Sequence, residues 1–209
     1  MKFSQEFKEA VLHLSESEKD KLLIRLLKKD ENLVNRLYFE LIDDQTVDDH
    51  RLKLETRVAE RAKEITGYAK SLNHLKMLTR YLSGEISEHV RITKDRFGEV
   101  SLNILMLNNL LQHSKKLYKQ SNARQAQKFN LYVIVRTYRI LIHISKMHED
   151  LHMEFEEGLA ELGELITELP TLMDMAIQNG LDVNWLIQNQ IPEDIAQYHK
   201  DLKAQGFLK

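Results

Sequence analysis

The chain is predicted to be all-α, with an N-terminal helical hairpin region followed by a bundle of long antiparallel helices. Three observations carry this. Only 7 Gly and 2 Pro interrupt 209 residues, so long helices are permitted almost everywhere. Apolar residues recur at spacings of three and four through most of the chain. Leu, Glu, Lys, Gln and Arg, all good helix formers, dominate. A single β-like run, "LYVIV" at 131–135, has no strand partner elsewhere and is read as helix.

Residues 1–43 read as a region of three short helices. Phe3, Phe7, Ala10, Val11 and Leu14 share one face. Ser15 with Glu18 three residues on forms a capping box, and Leu22, Leu23, Leu26 and Leu27 follow on one side. Asp30 caps the next helix, whose stripe is Leu33, Val34, Leu37, Tyr38, Leu41 and Ile42. Two such helices joined by a tight turn make a helical hairpin. "DDQTVDDH" is an acidic linker at 43–50, and the bundle occupies 51–209. A long helix starts near Arg51, where Val58, Ala62, Ile65, Ala69 and Leu72 form a short heptad seam. Leu75, Leu78 and Leu82 extend it to a turn expected at 83–85, and Gly98 is expected to end the segment that follows. "VSLNILMLNNLLQHSKKLYK" is a further helix. The central member is expected to span about 125–157 because its first half is apolar almost all round. Pro170 ends or kinks the pattern, Gly180 stops the next helix, Pro192 opens another and Gly206 closes the last.

"LSESEKDKLLIRLLKKDENLVNRLYFELID", residues 14–43, resembles the opening of a group of small uncharacterised all-helical proteins from Bacteroidetes. The resemblance implies a bacterial, cytosolic, helical protein and transfers no site residues.

Composition excludes several functions. With Cys absent there are no disulfides, thiolate metal sites or cysteine nucleophiles. The N-terminus is charged every few residues, unlike a signal peptide, and no run reaches the roughly 20 apolar residues of a membrane span. No phosphate loop, dinucleotide fingerprint or nucleophile elbow is present. A soluble, cytoplasmic protein is the expectation.

Charge is distributed in blocks. Residues 100–148 hold eight Lys and Arg and no Asp or Glu, whereas 149–209 hold 13 acidic and three basic residues. The favoured reading is that a basic helix pair packs beside an acidic one and the fields cancel. The sharper one is that Lys115, Lys116, Lys119, Arg124, Lys128, Arg136 and Arg139, with Tyr118, Phe129 and Tyr132 nearby, hold phosphates or an acidic protein. A pI near 6.5 argues against constitutive nucleic-acid binding.

"HEDLH" at 148–152 matches the zinc-protease pattern His-Glu-x-x-His. On an α-helix His148 and His152 would share a face, with Glu149 beside a bound water. Asp150 between the histidines and the lack of a third histidine beyond them weaken that match, and the stripe Ile144–His148–Leu151–Phe155 makes His148 a core candidate. The late His-x-x-x-His together with His50 resembles three-histidine metal-binding bundles of the DinB-like kind, which implies a divalent metal held by His50, His148 and His152. Glu149-x-x-His152 is half of a di-iron carboxylate site whose second half is missing. Glu6-x-x-Glu9 with Glu40-x-x-Asp43 resembles the paired carboxylates of all-helical nucleotide pyrophosphatases, and Arg136 with His143 resembles the Arg-x(4–6)-His motif of HEPN ribonucleases.

Taken together, the residues favour a non-catalytic cytoplasmic protein that binds a protein partner or itself through a helix face. The seam at 58–72 and the basic stretch at 113–139 are its candidate surfaces. The competing class is a metal- or phosphate-dependent enzyme seated between bundle helices.

Overall fold

A computed structural model describes residues 3–209. Among the described residues there are eleven α-helices, one 3-10 helix and no strand, and no helix is long and apolar enough to cross a membrane. The chain divides into two compact units, Met1–Gln45 with Arg91–Thr93, and Thr46–Val90 with Lys94–Lys209.

The first unit contains α1 (Gln5–Leu12), α2 (Glu16–Leu27) and α3 (Glu31–Leu41). Each begins at a capping side chain, and those of α2 and α3 are the ones the sequence indicates. The Phe7 N–H donates to Ser4 Oγ, Ser15 and Glu18 form the reciprocal capping box, and the Leu33 N–H donates to Asp30. None of the three helices has a buried residue. Eleven of the twenty exposed large apolar side chains lie in residues 3–42, so the stripes read from the sequence exist but enclose no core. Isolated helices of 8 to 12 residues are marginal in water, since helix stability comes mainly from packing an apolar face. Amide hydrogen exchange is therefore expected to be fastest here, with α1–α3 losing protection well before the helices of the second unit. Equal protection in both units would contradict this.

The second unit has a continuous apolar core. It runs through α4 (Val47–Tyr68), α5 (Leu72–Thr93), α6 (Arg96–Lys119), α7 (Ala123–Ile144), a 3-10 helix (Glu149–Phe155), α8 (Glu156–Thr167), α9 (Pro170–Gln178), α10 (Asn184–Ile187) and α11 (Ile195–Ala204). The hub is α6, not the 125–157 segment. It packs against α4, α7 and α8 and buries Leu102, Met106, Leu107, Leu110 and Leu111 completely. The seam Val58, Ala62, Ile65, Ala69 and Leu72 is buried with α4 lying against α6, so it is core and not a free surface. It also bridges two helices, because α4 ends at Tyr68 and Ser71 caps α5.

Three expected breaks are corrected. The chain stays helical through 83–85, where exposed Gly84 has nothing near it. Gly98 does not end a helix but sits in the first turn of α6. Its N–H donates to Asp95 at 2.7 Å, and a β-carbon there would collide with that carboxylate. Pro192 precedes α11, which starts at Ile195. Pro170 does open α9, and Gly180 (φ 71°) and Gly206 (φ 97°) follow helix ends in the left-handed region.

Buried polar side chains tie the helices in register. Tyr118 Oη donates to Asn130 Oδ1 (2.7 Å), whose amide donates to the Thr171 carbonyl (2.9 Å). Tyr138 Oη donates to the Asn179 carbonyl (3.1 Å), and Asn179 Oδ1 accepts the Leu208 N–H (2.9 Å). Burial pushes both tyrosine hydroxyls far up, so they remain proton donors at any physiological pH. His199 stacks beside Tyr138 with ring centroids 5.3 Å apart. Its pKa is lowered from 6.5, first by burial and then by Lys203 and Arg139. The unfolded chain thus takes up this proton before the folded one does, and stability present above pH 6.5 is lost as pH falls toward the lower folded value. Thermal unfolding of wild type against His199→Leu between pH 7.5 and 5 is expected to show a shallower acid slope in the variant. Parallel slopes would exclude His199 as the cause.

Candidate functional site

The metal readings do not assemble. The segment after α7 is not α-helical. Lys146 and Met147 N–H groups bond three residues back and tighten the end of α7. His148 then acts as the cap of the 3-10 helix, its Nδ1 accepting from the Asp150 N–H (3.4 Å). Without α geometry the four-residue spacing no longer stacks two imidazoles on one face. The His148 side chain is 77% exposed, so it is not the core residue its stripe implied. His50 lies in the first turn of α4 and Glu149 opens the 3-10 helix. Among the described residues, no group of three or more His, Asp or Glu is placed to hold a metal ion. Glu40, one of the proposed magnesium carboxylates, instead accepts from Arg36 at 2.6 Å.

The basic segment divides. Lys115 pairs with Glu168 at 2.6 Å, and among the described residues this is the one cation of the eight in 100–148 in an ion pair. Direct pairing between the two charge blocks is therefore limited, among the described residues, to Lys115 with Glu168. Lys116 and Lys119 occupy the last turn of α6 and Arg124 the first turn of α7, all exposed. None of these four lines either of the two hollows that Arg136 and Arg139 share.

Lys128, Tyr132, Arg136, Arg139 and His143 follow one another at steps of four, four, three and four along α7, which places them on one face. Two adjoining hollows open along it. One, of about 240 Å³, is lined by Lys76 of α5 with Lys128, Tyr132, Arg136 and Arg139. The other, of about 310 Å³, shares Arg136 and Arg139 and adds Ser87, Glu99, Asn103 and His143. Arg136 and Arg139 thus stand where the two hollows meet.

Surrounding residues hold this face in place. Tyr132 Oη and Ser83 Oγ of α5 are hydrogen-bonded at 2.7 Å, and the Arg136 guanidinium lies 5.4 Å from the Tyr132 ring centroid. Such stacking positions a guanidinium without neutralising it. Glu99 and Asn103 come from the start of α6, which a buried charge cluster fixes. Asp95 caps α6, accepts from the Gly98 N–H, and meets His89 Nε2 at 3.1 Å and Arg51 at 3.3 Å. Arg51 in turn lies 4.8 Å from the Phe97 ring centroid. Burial pushes the Asp95 carboxyl up, but the His89 and Gly98 hydrogen bonds and the Arg51 charge outweigh it and hold the group below its usual range.

The groove is electropositive but not purely so. Glu99 lies 3.7 Å from His143, too long for a hydrogen bond. Lys76, Glu99 and Asn103 were not found by sequence reasoning. Lys76 precedes Arg136 by 60 residues, and no local pattern connects them.

None of the protein families, curated proteins or solved structures with which the chain was compared matches it significantly.

Proposed function

We propose that this is a non-catalytic interaction protein whose working surface is the basic groove along α7, which receives an acidic segment of a partner protein. The observation that carries this reading is the alignment of Lys76, Lys128, Arg136 and Arg139 along one groove, with no acidic partner for any of them among the described residues. Like charges held together on a rigid face repel one another, and an anionic ligand relieves that cost.

Magnitudes favour a peptide over nucleic acid. From Lys128 to Arg139 is about 16 Å along a helix rising 1.5 Å per residue, the reach of roughly five extended residues. Over that length duplex DNA presents about nine charges, against four cations and a flanking glutamate. The acidic block at 149–209 and the formal net charge of −2 would further repel a long polyanion.

The test is a fluorescence-anisotropy titration of the full chain with a labelled decaglutamate peptide, competed by unlabelled decaglutamate and by poly(U). Binding of decaglutamate that weakens as salt rises and resists poly(U) supports the reading. Tighter binding of poly(U) would replace it with a nucleic-acid reading, and binding of neither would end both.

A second surface belongs to the first unit. Phe3, Phe7, Leu12, Leu41 and Ile42 are each more than half exposed, and large apolar patches mark association sites. Residues 1–45 carry eight basic and ten acidic residues, a mixture that does not repel its own copy. Self-association is the reading this favours. Sedimentation velocity is expected to show a concentration-dependent dimer that Leu41→Asp/Ile42→Asp dissociates, and a strict monomer at all concentrations would refute it.

A further inference from the structure

A different cavity lies on the second unit, between α4, α6, the 3-10 helix and α8, with a volume of about 440 Å³. That size is typical of small-molecule sites, roughly 300–1,000 Å³. Its apolar lining includes Ala59, Ile104, Leu105 and Phe155, with Gly158 opening space on α8. Three carboxylates also line it, and each comes from a separate element: Glu55 from α4, Glu154 from the 3-10 helix and Glu161 from α8. This is not the polar face of one solvated helix. No Lys, Arg or His is in the lining, and none of the three carboxylates is ion-paired among the described residues.

A second, independent feature is Asn108, which lines the same cleft and is 4% exposed. Its amide nitrogen donates to the Gly158 carbonyl (3.0 Å) and to Glu161 (2.7 Å). Both partners are acceptors, so the amide cannot be flipped, and its oxygen is left buried without a hydrogen bond. An unsatisfied buried acceptor is costly. The cleft therefore combines an apolar body site with three carboxylates and, at Asn108, a buried acceptor that has no partner. The complement is a molecule with an apolar body and a cationic N–H donor.

We infer that the cleft binds an organic cation, a small primary or secondary ammonium compound with an aliphatic or aromatic body. The apolar lining takes up the body, and the carboxylates with Asn108 take up the ammonium. This site is separate from the basic groove and does not depend on its function.

Isothermal titration of the full chain with octylammonium, octanol and octanoate at matched ionic strength tests the inference. Octylammonium is expected to bind about tenfold or more tighter than octanol, because its charge is attracted by the carboxylates of the lining and a hydroxyl is not, and octanoate is expected not to bind. Glu55→Gln/Glu154→Gln/Glu161→Gln should reduce octylammonium to the level of octanol. Ala59→Phe should fill the cleft and abolish both, while Arg136→Glu/Arg139→Glu should leave them unchanged. Should Ala59→Phe fail to fold, the glutamine variant still decides. Octanol or octanoate binding as tightly as octylammonium, no binding by any of the three, or wild-type affinity in the triple variant would overturn the inference.

Discussion

Replacing Asp95 by alanine is expected to destabilise the second unit by about 1–3 kcal/mol, the usual cost of leaving buried polar groups without a partner, because Arg51 keeps its ion pair with Asp48. The carboxylate is only 5% exposed and the Arg51 and His89 side chains that face it 15% and 6%, so water cannot easily replace what is lost. The same change removes the cap of α6, worth about 1 kcal/mol by itself and already contained in that total. Against an ordinary stability of 5–15 kcal/mol, such a loss is visible as an early urea midpoint. Asp95→Asn keeps an oxygen for the Gly98 N–H and should cost less than alanine. The wild-type ion cluster also predicts an acid limb. The folded pKa of Asp95 is depressed, so its contribution is complete above the unfolded aspartate value of about 3.9 and is lost as pH falls through the lower folded value. Equal urea midpoints for wild type and Asp95→Ala would show that the cluster is not structural.

Reversing two charges in the groove, Arg136→Glu/Arg139→Glu, is expected to weaken decaglutamate binding by roughly a hundredfold or more at low salt, because a favourable pair becomes a like-charge contact at two central positions. Both side chains reach solvent, so the fold should be retained, with melting shifted by only a few degrees. Lys115→Glu/Lys116→Glu, which changes the net charge by the same amount, is the matched control, since Lys115 is neutralised by Glu168 and neither residue lines either hollow. Its effect is expected to be several-fold at most. An equal loss in both variants would mean that net charge, not the groove, governs binding.

Much of the fold was legible because local chemistry and tertiary packing agree in it. Ser15, Asp30, Gly180 and Gly206 punctuate helices where their side chains or backbone freedom require. The stripe from Val58 to Leu72 points inward as its spacing demands. What failed were positions where packing overrides propensity. Gly84 is tolerated in mid-helix because Leu82 and Ile86 on either side of it are buried, and the anchoring of that face outweighs about 1 kcal/mol of glycine penalty. The apparent continuity from Phe129 to Leu169 concealed a break at 145–148, where a histidine caps a new element. That break also undid the HEDLH motif, whose chemistry assumes α geometry. At the groove, Lys128, Arg136, Arg139 and His143 were readable as one helical face. Lys76, Glu99 and the cleft carboxylates were not, because only tertiary structure brings α4, α5, α6 and α8 to them.

Hydrogen–deuterium exchange of the full chain with and without decaglutamate tests the central claim most directly, because it locates the ligand without altering the protein. Added protection confined to α7 between 128 and 143 and to the Lys76 turn of α5 is the predicted result. Protection at the α6 end around 115–119, or none anywhere under conditions where anisotropy reports binding, would contradict it.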